Sequence, residues 1–554
     1  MARRGVVRLC LAAALACLAA LLAVPATAEP IPYGYSHTDA WLTSFDGTQL
    51  HASVFLPVGR KATERHPVML ASTPYAAPGA SGGAFGEGPA VIYPELLMGR
   101  FKAGRWAYVQ VDVRGFGGSG GCFGYYTPDE ARDVKVAVEW AAKQPWSAGR
   151  VGMWGMSYDG AQQVLALGAK PKGLAAAVIQ APGLSAYTAL WMNGVHYATS
   201  RYTTTPLYTV EDLAPPQNRS TLASPEYAQA AAAPATASPT CRTDSVVRMN
   251  VERDRKGEFW KDREPYRQAA GSTVPTFWSH GFADRNTKPV HLDIWSSLRG
   301  PKQAWFGQYT HVPAHSTAVG RKTFLDEATR FLERHVLGAR APAVDPAVTV
   351  QSGNGVGRWR AERQWPPTDA RPWTMPVLDG SYPDQPGNTG EGANAGQGSW
   401  TVTRPLAWPA HLAGEVVLRA SVEAPEANAH VVAHLYDVDA DDKARLVTRG
   451  AFATSAAGRQ DVRFALYPQD WVFAKGHRIA LVLSAADDDW FAPGTSMREV
   501  KISKSSLVMP LLRVERTTFL KGKESDGMNG EPFQVSSART SREVGAHPPR
   551  QERR

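Results

Sequence analysis

The sequence predicts an α/β architecture followed by an all-β region: a parallel sheet flanked by helices, broken by a helical insertion, and then a β-sandwich. Three observations carry this. Short apolar strands alternate with helix-length segments between Val68 and Gly307, an aromatic and Ala/Pro-rich stretch interrupts them from residue 183 to 270, and period-two alternation runs from Ala347 to Glu515.

The chain opens on an antiparallel signal, since two β-rich runs between Ala40 and Leu56 flank Asp46-Gly47, a strong hairpin pair. Apolar strands follow at Val68–Ala71, Ala107–Val113, Val151–Trp154 and Ala175–Gln180. One crossover is readable in detail. Thr127-Pro128-Asp129-Glu130 combines an N-cap hydroxyl, a proline at N1 and a glutamate at N3, so a helix starts there. Val134, Val138 and Ala141 share one of its faces, and Gln144-Pro145-Trp146 ends it before the strand at Val151.

Residues 183–270 read as a mostly helical cap over the C-terminal edge of the sheet. The sheet pattern resumes at Val274–Ser279 and Gln303–Gly307, with a helix from about Lys322 to Val336. From Ala347 the alternating runs, such as Glu415–Val422 and His477–Leu483, predict the sandwich, with a Gly/Asn-rich loop from Gly387 to Gly398 inside it. The segment after Glu515 is charged and low in large apolar residues, which predicts disorder. The expected boundaries are thus 29–182 and 271–341 for the sheet domain, 183–270 for the cap, 342–515 for the sandwich and 516–554 for the tail.

A chain of 554 residues, 44% apolar, exceeds one domain's usual size and can bury a large core. Residues 1–28 have the layout of a cleavable export signal: Arg3, Arg4 and Arg8, an apolar run from Leu9 to Val24, then Ala26-Thr27-Ala28. That run is shorter than the roughly 20 residues of a membrane-spanning helix, so a secreted protein without a membrane anchor is expected. Cys10 and Cys17 leave with the signal, and an oxidising space permits, without requiring, a bridge between Cys122 and Cys241. The formal charge of +9 falls to +6 once the three signal arginines are removed, and the tail holds much of it. No basic stripe interleaved with aromatics appears, so a nucleic-acid partner is not expected. Oligomeric state stays open, a homo-oligomer included.

The chemistry gathers around Ser157. A serine hydroxyl attacks carbonyls poorly unless a base, an orienting acid and oxyanion donors surround it. In Val151-Gly-Met-Trp-Gly-Met-Ser-Tyr-Asp-Gly160 the serine lies between an apolar strand and a helical run, the setting of a nucleophile on a strand-to-helix turn. Gly155 stands two before it, but Asp159 stands two after, and the small residue comes one later at Gly160. Such a nucleophile is followed in sequence by an acid and then a histidine, each beyond a later strand. Asp284 follows Phe277-Trp-Ser and His311 follows Trp305-Phe-Gly, which meets that order. His280, His315 and His196 are rival bases and Asp293 is the rival acid. The Tyr158 amide is one oxyanion donor by its place after the serine. The loop tyrosine Tyr75 is a second candidate on reach, although such tyrosines are more often structural.

Other clusters have plainer explanations. Asp437–Asp442 lacks the glycine and glutamate of a calcium loop, Gly115–Gly121 lacks the lysine of a phosphate loop, and Asn218-Arg-Ser220 is a three-residue glycosylation sequon.

Gly155-x-Ser157-Tyr158-x-Gly160, Asp112-Val-Arg-Gly-Phe-Gly-Gly-Ser-Gly-Gly121 and Gln144-Pro-Trp-Ser-x-Gly-Arg-Val-Gly152 together resemble the Xaa-Pro dipeptidyl-peptidases and cocaine-esterase-like (CocE/NonD) hydrolases. The resemblance covers roughly residues 36–515. It implies an α/β-hydrolase fold with an inserted cap, a C-terminal jelly-roll domain, a catalytic Ser157, Asp284 and His311, and Tyr75 completing the oxyanion hole with Tyr158. It implies no cofactor and no metal. His280-Gly-Phe-Ala-Asp284 with Asn286 and Lys288-Pro289 looks closer to the peptidases, whereas the absence of their extra N-terminal domain matches the esterases. Tyr187 and Trp191 in the cap suit either a peptide or a small ester. The expected activity is release of Xaa-Pro dipeptides, with an acyl esterase or amidase as the alternative and an inactive binding protein as the remote one.

Overall fold

The computed structural model describes residues 34–75, 106–198, 225–232, 241–311, 314, 321–340, 345–353, 358–389, 397–487, 490–520 and 532–553. The expected export signal, the sequon at Asn218, His315 and part of the Gly387–Gly398 loop lie outside them.

A ten-stranded sheet forms the first half, in the order β1-β2-β4-β3-β5-β6-β7-β8-β9-β10. Its strands are β1 (Tyr35–Thr43), β2 (Gln49–Pro57), β3 (His66–Thr73), β4 (Ala107–Asp112), β5 (Ser147–Met156), β6 (Leu174–Gln180), β7 (Thr276–Gly281), β8 (Lys302–Gly307), β9 (Val348–Gln351) and β10 (Trp359–Glu362). β1 and β2 form the expected hairpin, with Tyr35 opposite Pro57 and Thr43 opposite Gln49. Gly47 takes a φ of 87° at its turn, a conformation that suits glycine. From β3 to β9 the neighbours run parallel. Such strands are buried on both faces, which is why Val68, Leu70, Val151, Met153, Val178 and Ile179 read as apolar runs without alternation.

Helices α1 (Pro128–Lys143) and α2 (Tyr158–Ala169) cover one face. α1 begins where its N-cap residue Thr127 donates its amide to Glu130 Oε1 at 3.4 Å. α9 (Arg321–Leu332), followed by one π turn to Leu337, covers the other face with Phe324, Phe331 and Leu332. Between β6 and β7 lie the cap helices α3 (Ala186–Leu190), α4 (Pro225–Ala232), α5 (Cys241–Val251), α6 (Glu258–Lys261) and α7 (Pro265–Ala269), while α8 (Asp293–Ser297) follows β7. Cys122, in the glycine-rich loop after β4, is disulfide-bonded; the side chain of Cys241 lies outside the described residues. Among the described residues no helix is long and apolar enough to cross a membrane.

The second half is a sandwich of a seven-stranded and a six-stranded sheet. β11 (Ala370–Val377), β12 (Gly380–Pro383), β14 (Ala410–Gly414), β15 (Val417–Ala424), β18 (Gly458–Ala465), β19 (Gln469–Phe473) and β21 (Glu499–Leu512) make the first. β13 (Ser399–Thr403), β16 (His430–Val438), β17 (Lys443–Ala453), β20 (Arg478–Ser484), β22 (Phe533–Gln534) and β23 (Glu543–Val544) make the second. Leu412, Leu418, Leu435, Phe464, Trp471, Leu481 and Leu507 fill the space between them.

Two sequence expectations change. β9 and β10 fall in the stretch expected to belong to the sandwich, yet β9 pairs with β8 and β10 with β9, so both extend the first sheet. Alternation identifies strands without saying which sheet takes them. The tail after Glu515 is not disordered over residues 516–520 and 532–553. Phe533, Val535 and Val544 pack on the sandwich, and Arg542 donates to the carbonyls of Trp400 and Asp379 at 2.7 and 2.9 Å. Few apolar residues suffice where they complete existing sheet edges.

Removing residues 532–554 uncovers Val535 and Val544, each worth roughly 1.5–3 kcal/mol of burial. Truncation after Glu531 should therefore lower the melting temperature of the sandwich by several degrees in scanning calorimetry.

Candidate active site

β5 delivers its last residue, Met156, directly into a turn at Ser157, which takes φ 61° and ψ −123° before α2 begins. A serine in this region is strained, and such strain is held only where the surroundings over-determine it. Two glycines do so. A Cβ at Gly155 would lie 2.7 Å from both Asp159 Cβ and Gln163 Nε2, and one at Gly160 would lie 2.8 Å from the carbonyl oxygen of Gln180. The turn is fixed by Ser157 N donating to Gln180 O at 3.0 Å and Ala161 N to Ser157 O at 3.0 Å. The small residue is thus needed at 160, where α2 passes β6, and Asp159 is free to turn inward. There it is 1% exposed, and burial pushes its carboxyl well above the usual range, a shift the Thr73 hydroxyl opposes without overcoming.

The other candidates arrive from separate elements. Tyr75, just beyond β3, places its hydroxyl 3.3 Å from Ser157 Oγ and donates its amide to Thr73 Oγ1 at 3.1 Å. Asp284, beyond β7, accepts from His311 Nδ1 at 2.9 Å and from Thr287 Oγ1 at 2.7 Å on one oxygen. Its other oxygen accepts the amides of Asn286 and Thr287 at 2.8 and 3.2 Å. Burial alone would raise this carboxyl, but the charges and hydrogen bonds of His311 and His280 hold it well below the usual carboxylate range. Ser157 and Asp284 are 6% and 0% exposed, while the His311 side chain is 23% exposed.

The rivals sit elsewhere. His280 is buried on β7 with Nε2 3.3 Å from Asp284, beside the acid, whose hydrogen bond goes to His311. His196 lies in the cap, bonded to Tyr197 O and Asn250 Oδ1, and Asp293 opens α8. Asn286 enters the sequence reading only as part of the resemblance and Thr287 escapes it, although Asp-x-Asn-Thr is the pattern of a side chain capping its own turn. Glu130 also escapes it, because a capping box accounts for the residue. It is fully buried, accepting Tyr158 Oη and Gln162 Nε2, each at 2.8 Å, and so fixes the Tyr158 side chain beside the serine.

Tyr125, Tyr126, Tyr158, Tyr187, Trp191, Phe259 and Trp260 form one buried aromatic cluster joining the glycine-rich loop to the cap, with Tyr75 against it. Tyr125 and Tyr126 both take φ of 65°, and Tyr126 N donates to Tyr158 Oη at 3.3 Å. Tyr187 and Trp191 also line a cavity of about 140 Å³ with Arg255, Glu415 and Tyr467.

Two family models match in tandem. The X-Pro dipeptidyl-peptidase (S15 family) model covers residues 46–313, and that of the X-Pro dipeptidyl-peptidase C-terminal non-catalytic domain covers 342–526. The chain belongs to the S15 family. A Streptomyces avermitilis protein, named as a candidate Xaa-Pro dipeptidyl-peptidase, is 24% identical over 529 residues, covering 77% of this chain and 74% of its own. A candidate serine esterase of Mycobacterium bovis is 30% identical over 158 residues, 26% of this hydrolase. The match spans only 24% of the mycobacterial protein's length. The fold is shared with a CocE/NonD family hydrolase from Staphylococcus aureus at a TM-score of 0.68 and 14% identity, covering 89% of this chain and all of that one. The parallel sheet and the C-terminal all-β domain are therefore a fold that the two proteins share.

The two carboxyls make opposite predictions. Asp284→Asn should lower kcat by roughly 10³–10⁴-fold, because the wrong imidazole tautomer is favoured, whereas Asp159→Asn should keep it within about threefold. Asp284 has a depressed folded value, so its contribution to stability is present above about pH 3.9 and lost as pH falls below that. Asp159 has a raised one, so its contribution is lost as pH rises through the folded value, and Asp159→Asn should gain melting temperature over wild type with increasing pH.

Proposed function

We propose that this protein is a secreted serine hydrolase that works through an acyl-enzyme and releases Xaa-Pro dipeptides from peptide N-termini. The observation that carries the chemistry is the hydroxyl of Tyr75 at 3.3 Å from Ser157 Oγ, with Asp284 and His311 paired at 2.9 Å. Ser157 Oγ attacks the substrate carbonyl as His311 takes its proton. Asp284 holds Nδ1, which leaves Nε2 as the nitrogen for that transfer. The oxyanion is met by the Tyr75 hydroxyl and the amide of Tyr158, the first residue of α2, where helix amides lack intrahelical acceptors. His311 returns the proton to the leaving amine, and water repeats the sequence to free the acid and restore Ser157. No cofactor enters these steps.

The substrate reading is supported by the two X-Pro dipeptidyl-peptidase models, which match residues 46–313 and 342–526. Secretion is supported by the charged, apolar and small-residue order of residues 1–28. The mycobacterial likeness favours a second reading, hydrolysis of acyl esters at the same serine.

Rates on Gly-Pro-p-nitroanilide and p-nitrophenyl butyrate separate the two. Faster turnover of the anilide in kcat/KM is expected, and a preference for the ester by orders of magnitude rejects the peptidase reading. Ser157→Ala should lose at least ~10³-fold on both substrates; activity surviving that change rejects the nucleophile.

A further inference from the structure

The loop that carries His311 is short, since β8 ends at Gly307 only four positions earlier. One side of it is fastened to the acid loop. Phe282 N donates to Gly307 O at 2.8 Å and Ala283 N to Tyr309 O at 3.1 Å, and a Cβ at Gly281 would lie 2.0 Å from Tyr309 O. These bonds tie His311 and Asp284 to each other and leave the pair's outer side to be held by something else.

That outer side meets the sandwich. Gln308 is 1% exposed and donates Nε2 to Gln469 Oε1 at 2.7 Å and to Asp470 O at 3.0 Å, both on β19. A longer contact runs from Nε2 to Gln351 O at 3.3 Å, and the Gln308 amide donates to Gln351 Oε1 at 2.9 Å. Gln469 is itself fixed, donating Nε2 to Val447 O at 2.8 Å while its Oε1 accepts Asp470 N at 2.9 Å. Asp470 is held by Arg360 of β10 through two bonds of 2.8 and 2.6 Å, by His411 Nε2 at 2.9 Å and by Trp365 Nε1 at 3.3 Å. Its carbonyl also accepts Gly353 N at 2.7 Å.

Burying this many polar groups is costly unless every one is paired, and an apolar contact of the same volume joins two domains more cheaply. What the polar contact adds is direction. A pair of amides with fixed donors and acceptors sets one position for the residue between them, and a displacement of about 1 Å at a reacting group can cost ~10²-fold in rate. We propose that the sandwich positions the base, with Gln469 and Asp470 holding Gln308 and, through it, setting the approach of His311 to Ser157. This rests on the reading of His311 as the general base. Gln308 and Gln469 are positioning residues and touch no reacting atom.

Gln308→Met and Gln469→Met, made in the full chain, remove the bond while keeping the length of the side chains. Each should lower kcat by ~10–100-fold with KM within about threefold, on whichever of the two substrates is turned over faster. The double variant should be no worse than the more damaged single, the signature of one shared interaction. Arg542→Met, which loosens the sandwich far from β19, should lower the melting temperature with kcat unchanged. Should the Met variants not fold, Gln308→Asn keeps the polarity and is too short to reach Gln469, and the same loss of kcat is expected. Folded variants with wild-type kcat overturn the proposal. His311→Gln separates the two ideas: if it is inactive while Gln308→Met is not impaired, the positioning role fails and the base stands; if it stays active, both fall.

Discussion

The strained turn at Ser157 is the constraint on which the rest of this half of the molecule depends. Holding a serine at positive φ costs of order 1–3 kcal/mol, which the chain offsets by locking both flanks. β5 before it is buried in the middle of the sheet, and α2 after it passes so close to β6 that only glycine fits at position 160. The aromatic cluster, the cap and the acid loop all close around this one point. Its geometry also explains why Asp159 occupies a place where many related motifs carry glycine: the crowding falls one residue later, and the space at 159 accepts a side chain if that side chain is neutral.

The supporting groups show a division of labour by charge. Asp284 receives donors on both oxygens and stays ionised, which suits an acid that must stabilise a passing imidazolium. Asp159 and Glu130, equally buried, have raised values, with desolvation the dominant cause for each. The one lowered carboxyl thus differs from the two raised ones in the number and charge of the donors aimed at it.

Much of this is legible in the sequence because the informative signals are local. Strand, then turn, then helix around Ser157, and strand, then loop around Asp284 and His311, can each be read from a dozen consecutive residues. What escapes is the chemistry that depends on distant partners. His280 reads as a rival base, and only the folded chain shows it buried against Asp284. Gln308 has no sequence signal, because its partner lies 161 positions away. β9 and β10 share the period of the sandwich strands and differ only in the neighbour they find.

The pairing of β23 with β13 has a consequence for how the chain reaches its final form. Val402 meets Glu543 across about 140 positions, and β22 caps β17 across a further long span. The second sheet of the sandwich therefore stays open at both edges until the last twenty or so residues have emerged. Unpaired edges of this kind recruit other strands, and contacts this remote in sequence form slowly. During synthesis the half-made sandwich is thus the species most open to mispairing, well after the parallel sheet has all of its own strands in hand.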